Sequence, residues 1–193
     1  MTKWLSHRMV ERGIIKEEEQ ELYQFGIRNC MILLLNVVTA LVIGLLTEQL
    51  AVVAEFTLSF MVLRSYTGGY HSDSRIFCYL GSNLVLLVPV YTQAVFYKTS
   101  LARLLAVLLV SAGIIFLLSP MHSKNRKLDK EEQKHFGRKA RLIAALELAV
   151  LGILWHAGQI PYAYAVYTGI CITALFMIVG KAQLWIQSHT ENG

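Results

Sequence analysis

The sequence predicts an all-α, polytopic integral membrane protein with about six transmembrane helices. The chain has 193 residues, of which 55% are hydrophobic and only 16% are charged, whereas a soluble domain usually carries about 25% charged residues. The apolar residues are gathered into runs that approach the roughly 20 residues needed for a helix to cross a bilayer. No internal repeat or Pro-rich linker divides the chain, so a single membrane-embedded domain, 1–193, is expected.

The first segment, residues 1–29, is predicted to form helices in the cytoplasm or at the membrane surface. Its residues 3–25 mix Trp4 and Ile14 with cations such as Arg8, the composition of an amphipathic helix lying among lipid headgroups. Charges continue up to the first apolar run and no cleavage site follows a short apolar core, so a removable signal peptide is not expected. The simplest role for this helix is anchoring.

Six apolar runs follow, and each is predicted to form a membrane-spanning helix: 30–46, 50–63, 77–97, 104–119, 142–156 and 162–180. The second run is short and carries Glu55, and the fifth carries Glu147. A carboxylate inside a span is costly unless it is protonated, paired or facing water. Each is therefore either a functional candidate or closer to the interface than these boundaries suggest, and neither is assigned to a site.

The distribution of positive charge predicts the orientation in the membrane. Of the 18 lysines and arginines, all except Lys98 and Arg103 fall on one side if six spans are counted. Because Lys and Arg near span ends stay in the cytoplasm, both termini are expected to be cytoplasmic. The loops 64–77 and 120–141 lie on that side as well.

The loop 64–77 and the cysteine after it contain the residue types needed for nucleophilic catalysis. A cysteine nucleophile requires a base and donors for the developing oxyanion, and Cys78 and His71 are candidates for nucleophile and base. In one straight helix these two would lie roughly 10 Å apart along the axis, so the backbone has to turn between them. Gly68 and Gly69 permit such a turn and a close approach of backbone N–H groups to a substrate.

Alternative interpretations of this loop remain open. A cysteine at the start of a span is more often a packing residue, and a loop histidine is more often polar surface. The residue that would orient the base is not singled out among four candidates: Ser72, Asp73, Ser82 and Asn83. No metal is predicted, since neither HExxH nor CxxC occurs, and no cofactor is required.

Arg64, Gly68, Gly69, His71 and Cys78 follow one another in the order R-x3-G-G-x-H-x6-C. This string, together with the chain length and the basic segment after Pro120, resembles the signature of the accessory gene regulator protein B (AgrB) family. The resemblance implies a membrane cysteine endopeptidase that removes the C-terminal part of an AgrD-type propeptide in bacterial quorum sensing. It further implies Cys78 as nucleophile, His71 as base, and an acyl-enzyme thioester whose transfer yields a thiolactone or lactone ring. Arg64 and Gly69 match motif positions, for which a binding or shaping role is inferred.

The basic loop 120–141 has two interpretations. The simpler one is a topology signal that also contacts anionic lipid. The more specific hypothesis is that three cations bind the acidic C-terminal part of the propeptide: Lys124, Arg126 and Lys127.

The expected partners are the propeptide, the lipid bilayer and, from the resemblance, a second copy in a homodimer; no nucleic acid is expected. Two other functions compete with the peptidase, namely a small membrane transporter or exporter and a noncatalytic membrane adaptor. Both predict that replacing Cys78 leaves activity intact, whereas the peptidase predicts its loss.

Overall fold

The computed structural model describes residues 2–68, 75–121 and 130–190, and these form α-helices joined by short connections, with no strand among them. There are seven α-helices in these ranges: α1 (Thr2–Glu11), α2 (Gln20–Leu46), α3 (Leu50–Thr67), α4 (Arg75–Lys98), α5 (Leu101–Leu118), α6 (Lys130–His156) and α7 (Ile160–Thr190). The all-α prediction is confirmed. By contacts the chain separates into two compact units, Met1–Thr39 and Ala40–Gly193, and the expectation of a single domain stays a prediction.

The first unit contains α1, a short 3-10 turn at Glu17–Glu19 and the first part of α2. The helix α1 ends where Gly13 takes a positive φ of 65°, which a glycine adopts without steric cost. Trp4 is 61% exposed and Ile14 62% exposed, and the Arg8 guanidinium lies 5.1 Å from the centre of the Trp4 ring. The predicted amphipathic segment is therefore helical at its start and presents large apolar side chains on its surface, as a helix in the headgroup layer does.

The second unit is a bundle built around α7. This helix packs against α3, α4, α5 and α6, and 61% of its apolar stretch is buried inside the protein, against 11% for α5. One core cluster joins α7 to α3 and α4 through Tyr164, Phe56 and Phe96. A second joins α7 to α3, α5 and α6 through residues such as Met177 and Leu63.

Five stretches in the described residues are long and apolar enough to cross a membrane: Glu17–Leu46, Leu50–Thr67, Tyr79–Lys98, Leu101–Leu118 and Ile160–Ile186. Large apolar side chains remain exposed along them, such as Leu117 at 83%. Such surfaces are stable in lipid and rare on soluble monomers. The chain is therefore a multi-pass membrane protein.

The remaining predicted span, 142–156, forms the second half of α6 and is not among these five stretches. It is shorter than the roughly 20 residues that a crossing requires. Extending it towards the N-terminus adds Lys139 and Arg141 to the charge of Glu147. The sixth crossing therefore stays a prediction, although the segment is helical as expected.

Candidate active site

The start of the predicted catalytic loop is fixed by Gly68, which terminates α3. Its φ of 73° and ψ of −152° lie in a region that is essentially restricted to glycine. The Gly68 N–H donates to the Arg64 carbonyl over 3.3 Å, which caps the last turn of the helix. A Cβ at this position would lie 2.6 Å from the carbonyl oxygen of Met121. Both the backbone angle and the available space therefore require glycine here.

The chain that follows α5 is hydrogen-bonded to this same turn. The Met121 N–H donates to the Thr67 carbonyl over 2.9 Å, and Thr67 is fully buried. Met121 is the last described residue before the basic segment that contains Lys124. Both loops are shorter than predicted, because residues 64–67 belong to α3, residues 75–77 to α4 and residues 130–141 to α6. The two connections that remain, which are far apart in the sequence, begin side by side at Gly68 and Met121.

Arg64 lies in the last turn of α3 and is held against aromatic rings. Its guanidinium is 4.7 Å from the centre of the Phe176 ring in α7 and 5.9 Å from that of Phe60 in α3. Cation–π contacts of this kind contribute about 0.5–2 kcal/mol, more when water is excluded. They place the Arg64 side chain between α3 and α7 and hold the turn from which the loop leaves the bundle.

The start of α6 also reaches the end of α3. The Lys139 ammonium lies 6.0 Å from the centre of the Tyr66 ring. A Cβ on Gly137 would lie 3.0 Å from Cδ of Pro120, so glycine permits this close packing. The first half of α6, which follows the basic segment, therefore packs against the helix turn to which Met121 is hydrogen-bonded.

The same part of α6 is attached to α5. The Arg141 Nε donates to the Phe116 carbonyl over 3.2 Å, close to the end of α5 at Leu118. An arginine at this position satisfies one of the carbonyls that a helix end leaves without an intrahelical partner.

Cys78 lies in the first turn of α4, which begins at Arg75. The positive end of the helix dipole favours a thiolate at such a position. The Cys78 side chain, His71 and Gly69 lie outside the described residues, and so do Lys124, Arg126 and Lys127. Their predicted roles stay predictions.

Of the four candidates for orienting the base, Ser72 and Asp73 lie outside the described residues. Asn83 uses its side-chain N–H₂ to donate to the Tyr79 carbonyl of its own helix over 3.0 Å. Its Oδ1, the atom that could accept from an imidazole N–H, is buried without a partner among the described residues, about one and a half helical turns beyond Cys78. Among the described residues no group of three His, Cys, Asp or Glu side chains could hold a metal ion.

Two residues that sequence reasoning passed over lie beside Glu147 in the bundle. The Ser59 hydroxyl of α3 donates to Oε2 of Glu147 in α6. Gly169 of α7 faces this serine, because a Cβ there would lie 2.5 Å from the Ser59 Oγ. The signal available in the sequence was the carboxylate within an apolar run, whereas its partner is an ordinary serine that no pattern distinguishes.

Comparison with known proteins identifies the family of the chain. The family model described as "AgrB: Accessory gene regulator B" matches residues 1–179. The chain belongs to the AgrB family. Membership of the AgrB family indicates a part in the processing of quorum-sensing propeptides.

Two curated relatives come from Clostridium perfringens. The chain is 23% identical over 148 residues to "Putative AgrB-like protein" of strain SM101, a match that covers 74% of this chain and 69% of that protein. It is 25% identical over 151 residues to "Putative AgrB-like protein 2" of strain 13, with the same coverage of 74% and 69%. No solved structure matches the chain.

Proposed function

We propose that this AgrB-family protein is a membrane cysteine endopeptidase that cleaves the C-terminal part of an AgrD-type propeptide and promotes cyclisation of the remainder. The observation that carries the proposal is the position of Cys78. It lies in the first turn of α4, and the loop that precedes this helix begins at Gly68, where no side chain fits. A helix start supplies the electrostatic environment that a nucleophilic thiolate needs.

In the proposed reaction, the imidazole of His71 takes the thiol proton and the Cys78 thiolate attacks the scissile carbonyl carbon. The Gly69 N–H stabilises the resulting oxyanion, while Gly68, whose N–H already donates to the Arg64 carbonyl, shapes the loop. When the C–N bond breaks, the imidazolium returns its proton to the leaving amine, and the N-terminal part of the peptide remains as a thioester on Cys78.

A thiol or hydroxyl of the bound peptide then attacks this thioester, which closes the ring and releases the Cys78 thiol. Exchange between two thiols is nearly balanced in free energy. An internal nucleophile held close to the thioester at high effective concentration therefore competes with water.

The basic segment, residues 122–129, is proposed to bind the substrate. The residues on either side of this segment contact the last turn of α3: the Met121 N–H donates to the Thr67 carbonyl, and Lys139 of α6 lies beside Tyr66. Seventeen residues, 122–138, separate the two contacts, and the first eight of them, which precede α6, include the three cations proposed to bind the acidic end of the propeptide: Lys124, Arg126 and Lys127. The two flanking contacts support placing an acidic peptide beside the loop that precedes Cys78.

The proposed arrangement puts both termini and this end of the bundle in the cytoplasm. At the opposite end of α4 and α5, the basic residues are Lys98, the last residue of α4, and Arg103, in the first turn of α5. The basic residues near the end of α3 and the start of α6 exceed these in number, which favours the cytoplasmic assignment. The protein is proposed to act as a homodimer.

The test is co-expression with the candidate propeptide, followed by intact-mass analysis of the peptide and the enzyme. Wild type is expected to give a shortened cyclic peptide or a peptide adduct on the enzyme, and Cys78→Ala is expected to give neither. Cys171→Ala is the matched control, since this free cysteine lies in α7. If cleavage persists in well-expressed Cys78→Ala, the cysteine mechanism is wrong and a transporter or adaptor role becomes the better hypothesis.

A further inference from the structure

A polar contact crosses the apolar interior of the bundle between α3 and α6. Ser59 is buried, with 3% of its surface exposed, and donates its hydroxyl hydrogen to the Glu147 carboxylate. Glu55 lies one helical turn before Ser59 on the same face of α3, close enough for its negative charge to repel that of Glu147. The two carboxyl groups that the sequence leaves unexplained therefore lie on facing helices.

The third helix of the bundle is shaped to admit this contact. A Cβ on Gly169 would lie 2.5 Å from the Ser59 Oγ, 3.1 Å from the Ser59 Cβ and 3.4 Å from the Phe60 nitrogen. Small residues at helix crossings allow backbones in a membrane to approach closely. The close approach of α7 at Ser59 thus requires a glycine at position 169.

The stability of the folded bundle alone does not explain why such a contact is present. A buried carboxylate is costly in a membrane bundle, and apolar side chains of similar size often pack at least as stably as a buried polar pair. An apolar contact, however, tolerates small rotations and shifts along the helix axis. A hydrogen bond between one hydroxyl and one carboxylate selects a single relative position of the two helices.

The contact joins the two helices that enter the proposed active site. Along α3, Ser59 precedes Arg64 and the turn at Gly68, where the loop leading to Cys78 begins. Along α6, Glu147 follows Lys139, whose ammonium lies beside Tyr66 at the end of α3, and the basic segment precedes this helix. A shift of α6 against α3 would therefore move the basic segment relative to the loop that precedes Cys78.

We propose that Ser59 and Glu147 are positioning residues whose hydrogen bond fixes α6, which follows the basic segment, against α3, which precedes the catalytic loop, and so favours presentation of an acidic peptide end to Cys78. This inference rests on the proposed function. Its experiment therefore has two arms, one of which does not depend on catalysis.

The first arm measures the position of α6 against α3 by cross-linking. The native cysteines are replaced by alanine, and the pair Tyr66→Cys and Lys139→Cys is joined by a short bis-maleimide in membranes. Ser59→Ala and Glu147→Leu are expected to slow cross-linking about three-fold, the factor that corresponds to a typical interhelical hydrogen bond in a membrane protein. Glu147→Gln keeps an acceptor for the hydroxyl and is expected to retain the wild-type rate.

The matched control for this arm is Ser65→Ala. Ser65 lies on the same helix, is exposed, and donates to the Met61 carbonyl of its own helix over 2.7 Å. Its loss is expected to leave cross-linking unchanged. Equal cross-linking rates for Ser59→Ala and wild type would overturn the positioning role, whatever the protein catalyses.

The second arm measures selectivity with otherwise native protein and two propeptides, one with its acidic end and one with those acids changed to amides. Ser59→Ala is expected to reduce the ratio of kcat/KM for the acidic over the neutral peptide about three-fold, with the neutral peptide processed as by wild type. A purely structural loss would lower both values equally and would refute positioning. If wild type cleaves both peptides equally well, the proposed binding of the acidic end is wrong, and so is the positioning role. If Ser59→Ala slows cross-linking but keeps the wild-type selectivity, only the positioning role is refuted.

Discussion

The sharpest test of the loop geometry is the substitution Gly68→Ala. It adds one methyl group at a residue with φ of 73° and ψ of −152°, and that methyl would lie 2.6 Å from the Met121 carbonyl oxygen. Backbone strain of this kind costs roughly 1–3 kcal/mol, and overpacking costs about 1–3 kcal/mol more. Because one displacement of the loop relieves part of both, we expect a net cost of about 3 kcal/mol for the native arrangement.

A cost of that size corresponds to about a 100-fold change in a population ratio, at 1.4 kcal/mol for each factor of ten. The displaced loop would separate Met121 from Thr67 and move the backbone at Gly68, so we expect propeptide processing to fall by about 100-fold. The assay is the initial rate of product formation by mass spectrometry in membranes, normalised to the amount of enzyme by immunoblot.

The control for this prediction is Gly113→Ala in α5, where an added Cβ meets no atom within 4 Å. It is expected to process the propeptide as wild type does. Processing by Gly68→Ala within two-fold of wild type, at equal protein level, would show that the junction of the two loops does not shape the site.

Three further predictions concern contacts within the bundle and the charge of the basic segment. Phe176→Leu removes the ring nearest to the Arg64 guanidinium and is expected to lower the free energy of unfolding in detergent by about 0.5–2 kcal/mol. A melting temperature equal to that of wild type would contradict the contact. Tyr164→Phe removes a hydroxyl that donates to the Pro89 carbonyl over 2.9 Å, and a destabilisation of about 1 kcal/mol is expected in the same assay. Reversing the charge of three cations, Lys124, Arg126 and Lys127, is expected to abolish processing of a propeptide with an acidic end and to increase processing of one with a basic end. Unchanged processing of both propeptides would exclude peptide binding by these cations.

Much of the helical architecture follows from local sequence. The apolar runs 50–63 and 104–119 became α3 and α5 with nearly the predicted positions, because a backbone in lipid has to satisfy its hydrogen bonds within each helix. The boundary at Gly68 could also be anticipated, since a glycine pair permits a turn that other residues resist.

Other properties of the helices depend on what surrounds them. The helices α5 and α7 are both apolar, yet one is mostly exposed and the other mostly buried. Lipid and protein interior accept the same side chains, so hydropathy cannot separate the two. The fifth run, 142–156, shows the related difficulty of assigning a crossing to a short helix that carries Glu147.

The sequence by itself determined that this chain is helical, that it belongs in a membrane, and that Arg64, Gly68 and Cys78 lie in the order of the AgrB signature. These properties depend on composition and on neighbours along the chain. Only the tertiary structure decided that Met121 binds Thr67 and that Ser59 donates to Glu147. Each of these contacts joins residues more than 50 positions apart, and its formation depends on how the helices pack, for which no local pattern exists.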